Sequence, residues 1–160
     1  MPILQLRSEL ALHTRRENQV TNEINREAIR ACDVLQVEAL KTKYSLPTRH
    51  RPVGPSRQYN CHGLTFASRR TWIQEAQEVR KILSDDEYEK ITPPDEVMPG
   101  DIAVYFKDGD IEHSGIVVGI TRDLGVPVIL SKWGVCHEVI HQVHTSEYDS
   151  RNVSYYRIKT

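Results

Sequence analysis

The chain has no stretch that approaches the length of a membrane-spanning helix, so no membrane-embedded helical reading is open. Nor is there an excess of one charge: 21 basic and 22 acidic residues leave a formal charge of -1. No long-range field gathers nucleic acid or an anionic membrane, and neither is expected as a partner. Cysteine is scarce. Cys32, Cys61 and Cys136 are odd in number and unrelated in spacing, which provides no disulfide framework and fits a reducing compartment. The start, MPILQLRSELALHTRR, lacks a basic segment followed by an apolar core and a small-residue cleavage site. The expectation is a soluble protein of the cytoplasm, or one delivered by a dedicated secretion system. Internal repeats and low-complexity tracts are absent as well.

What is present is one domain's worth of sequence, 160 residues, enough to bury a real core. Val20, Ile24, Ala28, Ala31 and Leu35 recur at steps of three and four within residues 17–43, which predicts an amphipathic helix. Residues 1–45 are therefore expected to form an N-terminal helical extension, a possible docking element for a protein partner. Residues 46–58 gather three prolines and a glycine and read as a linker. Residues 59–160 form the compact unit.

That unit opens with YNCHGLTFASRRTWI, in which Asn60 stands as a helix N-cap and Leu64, Ala67 and Thr71-Trp72 follow at helical intervals. A second helix is expected through IQEAQEVRKIL and a short helical turn through SDDEYEKI, followed by a proline-rich loop, ITPPDEVMPG. Then the period changes. DIAVYF and SGIVVGI are strand sequences around the Asp-Gly turn of KDGDIE, VPVILSKW and NVSYYRIK are further strands, and HEVIHQV reads as another. Helices followed by an antiparallel meander make an α+β fold.

Cys61 in the first turn of a helix would feel the positive end of the helix dipole and unpaired backbone N–H groups, which favour a thiolate and can hold an oxyanion. A buried structural cysteine is the plain alternative. A thiolate needs a base. His62 is adjacent to Cys61 and would point about 100° away on a helix, whereas His113 stands at the start of a strand that fixes its position.

YNCHGL, PGDIAVYF and EHSGIVVG together resemble the Cys-box, Gly-Asp strand and His-strand of papain-like cysteine peptidases of the NlpC type, which include cell-wall endopeptidases and amidases. The resemblance covers roughly residues 59–135. It implies a papain-like fold with Cys61 as nucleophile, His113 as general base and acid, and a peptide, a peptidoglycan-like stem or a protein as substrate. No cofactor is implied. Family members carry His, Asn, Gln or an acid as a third residue on the next strand. Here that stretch is VILSKWG, and Ser131 is the candidate that orients His113. Tyr59, His62, Lys132 and His141 are candidates for binding substrate or oxyanion, with Lys132 on the opposite strand face from Ser131.

One motif points elsewhere. Within VCHEVIHQVH, His137-Glu138-x-x-His141 matches the zinc-peptidase signature, with His144 or Glu147 as a third ligand. The signature works only on a helix, and the β-branched Val135, Val139, Ile140 and Val143 around it predict a strand or irregular loop. A zinc hydrolase, and a non-catalytic binding module of papain-like fold, stand as the alternatives to a thiol hydrolase that acts by hydrolysis, deamidation or acyl transfer.

Overall fold

The elements are resolved in a computed structural model that describes residues 10–52 and 54–160. In chain order they are α1 (Ala31–Lys43), β1 (Arg49–His50), α2 (Cys61–Phe66), α3 (Ala76–Asp85), β2 (Tyr88–Lys90), β3 (Ile102–Lys107), β4 (Asp110–Ile120), β5 (Pro127–Lys132), β6 (Glu138–Gln142) and β7 (Val153–Ile158). The seven strands form one antiparallel sheet in the order β1-β6-β5-β4-β3-β7-β2. The fold class is α+β. No described helix is long and apolar enough to cross a membrane.

The meander β3-β4-β5-β6 starts at the expected hairpin. Asp108 and Gly109 both adopt positive φ, 51° and 79°, which a two-residue turn joining right-twisted strands requires. Alternation along these strands sorts the side chains onto two faces. Ile102, Val104 and Ile111 face α3, whose Val79, Ile82 and Leu83 complete that core together with Val20. The opposite face carries Ala103, Tyr105, Val117 and Ile129 under residues of the loops around Ile91, Val97 and Tyr148. Beside it, Val37 and Leu40 of α1 pack on Trp133, Cys136 and Val139.

The N-terminal half departs from expectation. The helix begins at Ala31, not near residue 17, and Leu35 is 70% exposed. Residues 10–30 run along the domain without regular helix: Val20 N–H bonds to the Leu12 carbonyl, Glu17 turns at φ 62°, and Glu23 and Trp72 exchange both backbone hydrogen bonds. Thr14 and Asn18 both donate to Asp85 of α3, at 2.8 Å each. Partners some 50 to 70 residues away hold the side chains of Thr14, Asn18 and Asn22, the backbone of Glu23 and the apolar Val20, a tertiary override of a weak propensity. Residues 10–45 are thus packed into the domain rather than held apart as an extension, while residues 1–9 of the expected extension lie outside the described residues.

Three smaller readings change as well. The expected linker supplies β1, which pairs with β6 at Arg49↔Ile140 and His50↔Val139. Helix α2 stops at Phe66 because Ser68 and Arg69 turn through positive φ, which folds Thr71 back against the helix. Residues 88–90, within the expected helical turn, pair with β7 as a strand after Glu87 reverses the chain at φ 59°.

Candidate active site

Asn60 fixes the start of α2 from its side chain. Its Oδ1 accepts the Gly63 N–H at 2.9 Å, and its Nδ2 donates to the Ile73 carbonyl at 2.9 Å. Cys61 is therefore the first residue of a capped helix, as read from the sequence. Gly63 is what allows the helix to lie where it does, since a Cβ there would stand 1.8 Å from the Thr71 carbonyl oxygen. The Cys61 side chain is buried, and burial pushes its thiol up to about 11 against the pull of backbone N–H groups from Ser114, His62 and Cys61 itself. The charge of Lys132 acts in the same downward sense as those groups.

His113 is the residue before Ser114, so the strand whose Ser114 N–H draws the Cys61 thiol down also carries the imidazole. Pairing of Tyr105 with His113 puts the ring on the Tyr105 face of the sheet. There it is fully buried, tilted against Tyr105 at 5.3 Å and stacked on Tyr148 at 3.6 Å between centroids. Neither ring nitrogen has a hydrogen-bond partner among the described residues, the Cys61 sulfur included. Burial first, and the neighbouring His62 and His141 second, hold the imidazole neutral well below its ordinary range. Tyr148 was not legible in the sequence, because it arrives from a loop after β6 with no local pattern to mark it.

Ser131 lies on the same face, but its hydroxyl is committed elsewhere. Trp133 Nε1–H donates to Ser131 Oγ at 3.2 Å, and Ser131 Oγ is 2.9 Å from His141 Nε2. His141 Nδ1 reaches the Gln142 carbonyl at 2.8 Å and so carries the proton, which leaves Nε2 to accept from the serine. Ser131 therefore orients His141, and the expected bond to His113 is not made. His141 does fold back towards His113, close enough for its charge to depress that imidazole.

On the other face His62 Nδ1 is 2.7 Å from Ser114 Oγ, which donates to Thr65 Oγ1 at 3.1 Å, which in turn donates to the Cys61 carbonyl at 2.9 Å. Each hydroxyl has spent its single proton, so the proton between His62 and Ser114 belongs to Nδ1. This relay locks α2 onto β4. It makes His62 a brace for the site.

Tyr59 and Lys132 belong to a buried polar cluster centred on Glu138, which is 1% exposed. The Tyr59 hydroxyl donates to Glu138 at 2.7 Å, Arg69 Nη2 donates at 3.1 Å, and Arg51 stands at 3.3 Å. Lys132 is the cross-strand partner of Glu138. It donates to the carbonyls of Ser56 and Gly134 at 2.7 and 2.6 Å and lies 5.0 Å from the Tyr59 ring centroid. Burial lowers it to about 8. Lys132 thus sits on the face opposite Ser131, as alternation requires, and within electrostatic reach of Cys61.

The zinc-type motif falls on β6 and its approach. Along a strand His137 and His141 stand about 13 Å apart at some 3.3 Å per residue, and Glu138 points to the opposite face. His137 Nε2 is 2.7 Å from His50 Nδ1, His141 is held by Ser131, and Glu147 pairs with Lys43 at 2.8 Å. Among the described residues no three His, Cys, Asp or Glu side chains converge on a point where they would hold a metal.

Compared with known protein families, with curated protein sequences and with solved structures, the chain matches none of them.

Proposed function

We propose that the chain is a thiol hydrolase of papain-like, NlpC-type design, in which Cys61 attacks an amide or related acyl carbon and His113 serves as base and then acid. The observation that supports this reading is the place of Cys61 at the Asn60-capped start of α2, where backbone N–H groups oppose the upward push of burial on its thiol, with an imidazole that has no partner among the described residues on β4, the strand to which α2 is tied. Such groups stabilise a thiolate, and the same helix start can hold the oxyanion that forms on attack.

The chemistry proceeds from a neutral pair. Burial raises the thiol and lowers the imidazole, so at rest the proton stays on sulfur. A substrate carbonyl that brings polar groups into the site favours transfer of that proton to His113. The thiolate then adds to the acyl carbon, and His113 returns the proton to the leaving amine or alkoxide as the carbon–heteroatom bond breaks. Water, deprotonated by His113, cleaves the thioester and regenerates the thiol. An amine or hydroxyl acceptor in place of water turns the same cycle into acyl transfer.

One observation favours a binding module of the same fold: His113 makes no hydrogen bond to Cys61 and is covered by Tyr148. Hydrolysis of p-nitrophenyl acetate, together with iodoacetamide labelling located by peptide mass mapping, separates the readings. The thiol hydrolase predicts Cys61 labelling and turnover that is lost in Cys61→Ala and His113→Ala and is indifferent to chelators. Turnover that survives Cys61→Ala but falls with a chelator points to a metal hydrolase, and a folded chain with neither labelling nor turnover is a binding module.

A further inference from the structure

A groove of about 840 Å³ runs beside α2, between the N-terminal segment around residues 24–29, residues 55–58 and the turn at Arg69-Arg70. Four arginines line it, Arg26, Arg57, Arg69 and Arg70, against a single carboxylate, Glu27. In a chain with a formal charge of -1 this is a local concentration of guanidinium that the overall composition does not require.

Two of the four are fixed from behind. Arg57 Nη2 contacts both oxygens of Asp33 at 3.0 and 2.8 Å, and Arg69 is clamped on Glu138. The Arg57 Nε–H is buried and has no acceptor among the described residues, a donor left over at the groove wall. Arg26 and Arg70 are exposed. Arg70 spends only its Nε, on the Ala67 carbonyl at 3.2 Å, and neither residue is paired with a carboxylate among the described residues. The groove therefore combines anchored guanidiniums with free ones, a suitable arrangement for bidentate capture of carboxylates. Ile24 and Ile29, both half-buried, also line it and supply apolar surface.

We propose that this groove binds an acidic peptide segment in which carboxylate side chains alternate with apolar ones. The carboxylates take Arg26 and Arg70, and the apolar residues cover the isoleucines. Single-stranded nucleic acid, the other polyanion with extended form, is recognised by stacking on aromatic rings, and no aromatic residue lines this groove. Cys61 does not line it either, so the proposal is independent of the thiol chemistry.

The test is fluorescence anisotropy with a fluorescein-labelled peptide of alternating Leu and Glu, using the full chain as Cys61→Ala to prevent turnover. Saturable binding that weakens with added salt is expected. The double reversal Arg26→Glu/Arg70→Glu, checked for unchanged circular dichroism, should weaken binding by about tenfold or more, as befits the loss of two charge-assisted contacts. Absence of saturable binding, equal affinity for a Leu-Lys peptide, or full affinity in the double reversal would overturn the proposal. So would tighter binding of a labelled oligothymidylate that competes for the same arginines, which would make the groove a nucleic-acid site.

Discussion

The imidazole of His113 lies parallel to the ring of Tyr148, with 3.6 Å between centroids and 4° between planes. Tyr148 comes from the loop after β6, and its neighbour Glu147 is tied to Lys43 of α1 at 2.8 Å. The ring also feels the charge of Cys61, which adds to burial in raising the Tyr148 hydroxyl. One aromatic side chain thus covers His113 and lies within electrostatic reach of Cys61.

Replacing that ring tests its role. Tyr148→Ala should rehydrate His113 and move its titration up towards 6.5, read from the imidazole proton shifts by NMR. Iodoacetamide should label Cys61 faster in the same variant, while Tyr148→Phe, which keeps the stack, should leave both nearly unchanged. A His113 titration that does not move in Tyr148→Ala would mean that Tyr105 and the sheet alone keep the ring dry.

Gly63 is held to its identity by contact, not by backbone angle. A methyl group there would meet the Thr71 carbonyl oxygen at 1.8 Å and Tyr59 Cβ at 3.2 Å. Neither is the mobile end of a side chain, so α2 itself must shift. Gly63→Ala should cost about 3 kcal/mol or more, at or beyond the upper end for overpacking, measured as a fall in the urea midpoint. A variant of unchanged stability would show that the turn at residues 68–71 yields easily.

The parts of the site that were legible in the sequence are those whose causes are local. Asn60 caps the helix three residues on, Asp108-Gly109 turns its own hairpin, and strand alternation puts Lys132 opposite Ser131. What could not be read depends on distant partners. Val20 fitted a helical stripe, yet it is buried with Val79 and Ile82, some 60 residues later, on a chain that is not helical there. Ser131 stands where the resemblance implies a third residue to orient His113, but His141 on the next strand takes its hydroxyl. Glu138, buried on β6, depends on Arg69, Arg51 and Tyr59, which lie about 70 to 90 residues earlier in the chain. The histidines of the zinc-type motif were separated by the same β-branched residues that predicted a strand there.

The Glu138 cluster should respond unequally to removal of its members. Glu138→Gln leaves Arg69 and Arg51 without their carboxylate, and breaking a buried pair from one side typically costs about 3 to 5 kcal/mol. Both arginines retain some solvent exposure, at 45% and 40%, which places the expected loss towards the lower end. Tyr59→Phe removes one hydrogen bond and should cost about 1 to 2 kcal/mol. Chemical denaturation of the two variants checks the order, and a larger loss from Tyr59→Phe would show that the ion pair adds little.

Stability should fall as the solution is made mildly acidic, and histidine should be the cause. Burial lowers His62, His137 and His141 to about 4 and holds His113 well below its ordinary value. In the unfolded chain the same groups titrate near 6.5. Between those values the unfolded state binds protons that the folded state refuses, so stability is full above about pH 6.5 and is lost as the pH falls towards about 4. Each such histidine contributes a slope of about 1.4 kcal/mol per pH unit within that window. The carboxylates act lower. Asp101 and Glu138 are pushed up by burial but drawn down further by Arg157 and Arg69, which places their own loss below the ordinary carboxylate range. Urea midpoints between about pH 7 and pH 5 should therefore decline, and His62→Asn, whose amide nitrogen stands where Nδ1 donates to Ser114, should flatten the decline by one histidine's share. A slope untouched by that substitution would assign the proton uptake to the histidines on the opposite face of the sheet.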